Sequence, residues 1–224
     1  IFTVIRGVMF PLFALKYSFN TIVGKLADAG NWLLETLGFG KSYDDTESST
    51  DGGNGGFGGG VPYYSQNDPS IANKPYKLSN GKFDTMGNRG CGPTAMAMAM
   101  GGMGKAISPI SMAKDATEGG FSTNVGTTPG FFSHEANKLG VSATQTKASP
   151  STISAGLSTG NPVIIQGASS DPNSPFTSRG HYVVGTGMSG SKVSIQYPRG
   201  PQYNKTYDVR QVPRGASSKW AFNQ

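Results

Sequence analysis

Residues 41–60, KSYDDTESSTDGGNGGFGGG, can bury almost nothing, and this decides where the chain can build a core. The stretch is acidic and polar first, then glycine-rich. It has too few apolar side chains to offset the cost of ordering its backbone, so it reads as a linker. The chain is therefore expected in three parts: an apolar segment over 1–40, the linker over 41–60, and a folded domain over 61–224.

The first part opens IFTVIRGVMFPLFAL, but Arg6 and Pro11 interrupt the apolar run. A lone membrane span wants roughly 20 apolar residues in a row, so none is expected here. No basic start and no small-residue cleavage site mark a signal peptide. Farther on, Phe19, Ile22, Val23 and Leu26 fall on one helical face, and Leu33, Leu34 and Leu37 on another. Such stripes must be covered by the same chain, by a larger assembly or by a membrane. Virion or other assembly proteins, and membrane contact, are thus the expected partners of 1–40. The chain begins on Ile1, as a trimmed chain or a piece of a longer one would.

With 33 Gly, 14 Pro and 14% charged residues, a loop-rich protein with much β structure is favoured over a helical bundle. Charge is uneven. Residues 1–60 carry four basic and six acidic side chains, net −2; residues 61–224 carry fifteen and seven, net +8. The larger part favours anionic surroundings. An anionic cell wall fits this better than nucleic acid, because no dense Lys/Arg run or nucleic-acid-binding signature is present. A single cysteine excludes an internal disulfide framework, and no Cys/His cluster has zinc spacing, so no metal or other cofactor is expected.

In the domain, VPYYSQND at 61–68 reads as a strand entering a turn. Residues 92–103, 131–140 and 151–160 read as helices, the last two closed by Gly140 and Gly160. PVIIQG, HYVVGTGM and KVSIQYP read as three successive strands. Helices first and an antiparallel-looking sheet later indicate an α+β fold.

The only cysteine, Cys91, stands in GCGPTAMAMAM. Gly90 and Gly92 allow a tight turn, Pro93 suits a first helical turn, and Ala95 to Met100 continue the helix. Met96, Met100 and Met103 share one face as core filler. Cys91 thus sits at a helix N-terminus, where the dipole and unpaired N–H groups favour a thiolate. A small buried cysteine fits the same place, so a base is needed to decide. Of two histidines, His134 lies inside a helix and reads as a surface or capping residue. His181 follows Gly180 and opens a strand, a position that faces a cleft. Gln66, in a turn, offers a side-chain amide to an oxyanion, though alone it would mean nothing.

Taken in order, VPYYSQNDP at 61–69, GCGPTAMAMAM at 90–100, GNPVIIQG at 160–167, GHYVVGTGM at 180–188 and SSKWAF at 217–222 resemble the papain-fold cysteine peptidases of the bacteriocin-processing, double-glycine-leader type. The resemblance covers about residues 61–222. It implies a papain-like fold, with Cys91 as nucleophile, His181 as general base and later acid, and Gln66 as oxyanion donor beside the Cys91 backbone N–H. One departure stands out. That family usually carries Asn-Asp-Pro or similar after the histidine-bearing hairpin, the Asp orienting the imidazole; here Gln196, Tyr197 and Pro198 stand there. Gln196 can accept the imidazole N–H through its amide oxygen, Tyr197 more weakly, and Asp208 is a distant substitute.

A basic hydrolase tethered by a glycine linker suits an insoluble anionic polymer, because a tether raises local concentration. The expectation is a cysteine-dependent peptidoglycan hydrolase of a bacterial cell wall, carried on a phage virion or tail or at the cell surface. It would act as the genome enters the cell. The replaced Asp favours the alternative, a catalytically inactive papain-like component of a phage or secretion assembly.

Overall fold

The computed structural model describes residues 60–167, 174–177 and 180–224. The expected anchor over 1–40 and all of the expected linker but Gly60 lie outside them. In chain order the elements are β1 (Pro75–Lys77), β2 (Phe83–Thr85), α1 (Met86–Arg89), α2 (Cys91–Gly102), α3 (Pro109–Glu118), β3 (Ser122–Thr123), β4 (Gly126–Thr127), α4 (Gly130–Lys138), β5 (Ser142–Lys147), α5 (Pro150–Leu157), β6 (Val163–Gly167), β7 (His181–Ser189), β8 (Lys192–Gln196), β9 (Lys205–Asp208) and β10 (Ala216–Asn223). This is the α+β fold expected, with helices leading into an antiparallel sheet.

The main sheet runs β5-β10-β6-β7-β8-β9, each neighbouring pair antiparallel. Side chains alternate across its two faces. Ile164, Tyr182, Val184, Trp220 and Phe222 join a cluster with the α2 residues Ala95 to Met100 and with Phe131 and Phe132 of α4. Val163, Ile165, Val183, Val193, Ile195 and Ala221 point the other way, to a second cluster closed by Ile153 and Leu157 of α5 and by Phe176. The sheet is thus a wall with a helical layer on one face and α5 on the other.

Helix α2 is the axis of the first cluster. Ala95 to Met100 are all fully buried, so this helix is covered all round, and the Met96–Met100 face expected from sequence is only part of what is buried. Burying each of Met96, Met98 and Met100 contributes about 1.5–3 kcal/mol. Met103, just past the helix, is buried too.

The stretch 61–68 differs from expectation: Val61 to Ser65 join no strand, and the turn begins at Gln66. Its polar groups are satisfied across the sheet's end instead. Gln196 Nε2 donates to Val61 O at 3.2 Å, and the Tyr63 hydroxyl donates to Tyr197 O at 2.9 Å. The segment therefore straps over the last residues of β8 rather than extending the ladder.

Candidate active site

The short α1 ends at Gly90, whose N–H donates to Met86 O at 2.7 Å and whose carbonyl accepts from Thr94 N–H at 3.0 Å, opening α2. Both flanking glycines are required by space. A Cβ at Gly90 would stand 2.5 Å from Met86 O, and one at Gly92 would stand 2.5 Å from Thr127 Cβ. The turn that starts α2 is therefore pressed against β4, and Cys91 is delivered as the first helical residue.

The Cys91 side chain is partly buried. Burial pushes the thiol up from its ordinary value, while the backbone N–H groups of Tyr182, Gly92 and Cys91 and the Arg89 charge pull the other way without winning. The Tyr182 contact fixes the geometry, because Tyr182 follows His181 directly in β7. The sulfur thus sits against the start of the strand that carries the candidate base.

His181 is delivered by Gly180, whose φ of +72° lies in the region that favours glycine, and is held in register opposite Gly167. Its imidazole stacks on Tyr197, with ring centroids 4.8 Å apart and planes 18° apart. Burial first, and the Arg199 charge second, push it down to about 4. Nε2 is buried and has no hydrogen-bond partner among the described residues. Cysteine and histidine are each displaced toward their neutral forms.

Gln66 is anchored from both sides. Its N–H donates to Pro198 O at 2.7 Å and its Nε2 donates to Gly87 O at 2.6 Å. An amide nitrogen carries two donors, so one N–H of Gln66 remains for another acceptor. The residue is 4% exposed, so that donor is kept from bulk water.

Gln196 points elsewhere. It pairs with Val184, is fully buried and gives its Nε2 to Val61 O. No hydrogen bond joins it to His181 among the described residues. The residue against the imidazole is Tyr197, whose hydroxyl is buried beside Thr177. Alternation explains the exchange: Ile195 and Tyr197 share one sheet face, and Gln196 takes the other. Asp208 is engaged by Arg210, 2.8 Å away. His134 is exposed on α4 and packs at a tilt against Phe121, with ring centroids 4.9 Å apart and planes 46° apart. Among the described residues, no group of His, Cys, Asp and Glu could hold a metal ion.

Sequence reasoning missed the polar support behind the cysteine. The Tyr76 hydroxyl and Thr127 Oγ1 are 2.9 Å apart, and the Tyr182 hydroxyl donates to Thr127 O at 3.1 Å. Tyr76 and Tyr182 are pushed well above the usual tyrosine value, by burial first and by Cys91 after it. The tyrosine in GHYVV carried no sequence signal for this beyond its place next to His181.

A cysteine opening a helix that packs on an antiparallel sheet, with a histidine opening a central strand of that sheet, is the layout of a papain-like cysteine peptidase. The Peptidase_C39 like family matches residues 59–221, and the chain belongs to it. Among solved structures, a C39-like peptidase from Bacillus anthracis is similar at 17% identity and a TM-score of 0.50, covering 73% of this chain and 94% of that one. The peptidase domain of Streptococcus ComA, a bi-functional ABC transporter involved in quorum sensing, gives 18% identity and a TM-score of 0.48 over 60% of this chain and 90% of that one. A double-glycine-motif protease from an AMS/PCAT transporter, solved with its leader peptide, gives 16% and 0.47 over 74% and 93%. No curated protein matches the chain.

Proposed function

We propose that the chain is a cysteine-dependent hydrolase of peptide bonds in bacterial cell-wall peptidoglycan. The observation that carries the peptidase chemistry is the Cys91 sulfur lying against the Tyr182 N–H, one residue from His181. Because both groups favour their neutral forms, the imidazole takes the thiol proton as the sulfur attacks the carbonyl, rather than beforehand. The oxyanion is received by the free N–H of Gln66 and by the Cys91 backbone N–H. His181 returns the proton to the leaving amine, and water then releases the acyl group from the sulfur.

The net charge of +8 over 61–224 supports an anionic polymer as the setting. The apolar 1–40 and the glycine-rich 41–60 support carriage on a virion or tail, or at a cell surface, through assembly proteins or a membrane. A second reading, an inactive papain-like component of an assembly, is favoured by the absence of a carboxylate beside His181 among the described residues. Purified Gram-positive walls separate the two. Wild type should reduce turbidity and release amines, and Cys91→Ala should do neither. Unchanged walls with reduced wild type would favour the inactive component.

A further inference from the structure

Beyond Tyr197 the fold opens a cavity of 260 Å³ that the chemistry above leaves unused, with Phe176, Tyr197, Arg199, Tyr203, Lys205 and Tyr207 among its lining residues. The register of β8 and β9, Ile195 opposite Lys205 and Val193 opposite Tyr207, puts Lys205 and Tyr207 on the sheet face that also carries Tyr197. The Arg199 guanidinium lies 5.5 Å over the Tyr203 ring, and Asn67 Nδ2 donates to Arg199 O at 2.8 Å. The cavity thus has two cations on aromatic walls. Among the described residues no carboxylate lines it, and neither Arg199 nor Lys205 forms a salt bridge. A carboxylate is the complement of such a site.

Its position gives a direction along the substrate. Tyr197 is both a wall of the cavity and the ring stacked on His181. Tyr197 belongs to the second core cluster, whereas Cys91 packs on the first. The cavity therefore lies past the imidazole, away from the sulfur. A histidine that protonates the leaving amine has the leaving half of the substrate on that side. Arg199 is also one of the two causes that hold His181 down. A carboxylate seated on Arg199 offsets that charge and leaves a stronger base.

We propose that this cavity is a subsite for a carboxylate on the leaving-group half of the peptide, gripped by Arg199 and Lys205. The direction rests on the peptidase reading; the binding does not. The test uses full-length Cys91→Ala protein and the stem tetrapeptide L-Ala-γ-D-Glu-L-Lys-D-Ala, beside the same peptide with both carboxyls as carboxamides. Calorimetry at low salt should show the free acid binding about tenfold more tightly. The preference should vanish when Arg199→Gln and Lys205→Gln are added, with folding checked by thermal unfolding. Equal binding of the two peptides, binding of neither, or a preference that survives the double substitution overturns the subsite. Wild-type cleavage separates this from the peptidase reading. Cleavage of both peptides with equal kcat/KM sinks the subsite alone. An acid preference in binding with no cleavage of any peptide or wall sinks the peptidase and keeps the subsite.

Discussion

Tyr197 holds the place where the resembling family's pattern carries an aspartate, and it meets His181 with a ring face instead of a charge. The imidazole thereby gains packing and loses the anion that would stabilise its protonated form. With His181 pushed down to about 4 and the Cys91 thiol pushed up, no thiolate–imidazolium pair stands ready at neutral pH. Alkylation of Cys91 by iodoacetamide should therefore accelerate only as pH climbs past the ordinary thiol range. Fast alkylation at mildly acidic pH would show a preformed ion pair and refute this. Tyr197→Asp should move the onset of alkylation to lower pH, because a carboxylate there favours the imidazolium and, through it, the thiolate. Gln66 tests the other half of the site. If its free N–H receives the oxyanion, Gln66→Ala should lower kcat by about 10²–10³ and change KM little. A loss confined to KM would make it a binding residue.

The elements show what a sequence can and cannot announce. Helix α2, the helix ending at Gly140 and strands β6, β7 and β8 are legible because their apolar runs and glycine stops act locally. Helix α3 is not read from the sequence, because its small and polar residues look like loop, although Ser108 accepts from Ser111 N–H, Pro109 opens the helix and Gly119 closes it. Strand β10 is harder, because Lys219 sits buried in its middle and only the neighbours β5 and β6 make it a central strand. The site was half legible. Cys91 at a helix start and His181 at a strand start are legible from local pattern, but that Tyr197 rather than Gln196 meets the imidazole depends on which sheet face each residue takes, and that needs the register. Helix α5 gives a prediction of the same kind. Gly156 is the penultimate residue of the helix, where alanine would ordinarily gain up to about 1 kcal/mol. Here its Cβ would stand 2.7 Å from Val163 Cγ1 and 3.2 Å from Lys219 Nζ. Val163 is fixed in the sheet, so packing should outweigh propensity and Gly156→Ala should destabilise by about 1–3 kcal/mol. A raised Tm would show that the sheet yields at this contact.

At the scale of the whole molecule, two buried titrating groups pull stability in opposite directions as pH changes. His181 is held neutral. Between its folded value of about 4 and the unfolded value of 6.5 the unfolded chain binds the extra proton, so stability falls as pH drops through that window, by about 3 kcal/mol in all. Glu135 does the reverse. Its side chain is fully buried on α4, 3.6 Å from Lys138, which also holds Asp115 at 2.7 Å. Burial first, and the Asp115 charge second, raise its carboxyl above the ordinary 4.5 despite Lys138. The folded chain then keeps the proton longer, so stability is complete below 4.5 and falls as pH rises through the raised value. Two single variants should therefore tilt the wild-type curve of Tm against pH in opposite senses. His181→Gln should gain on wild type progressively as pH falls from 6.5 toward 4. Glu135→Gln should gain progressively as pH rises from 4.5 toward neutrality, and its advantage should vanish in acid. Curves parallel to wild type in both variants would mean that neither burial is felt by the folding equilibrium. His181 and the α3–α4 contact would then be open enough for water to hydrate both charges.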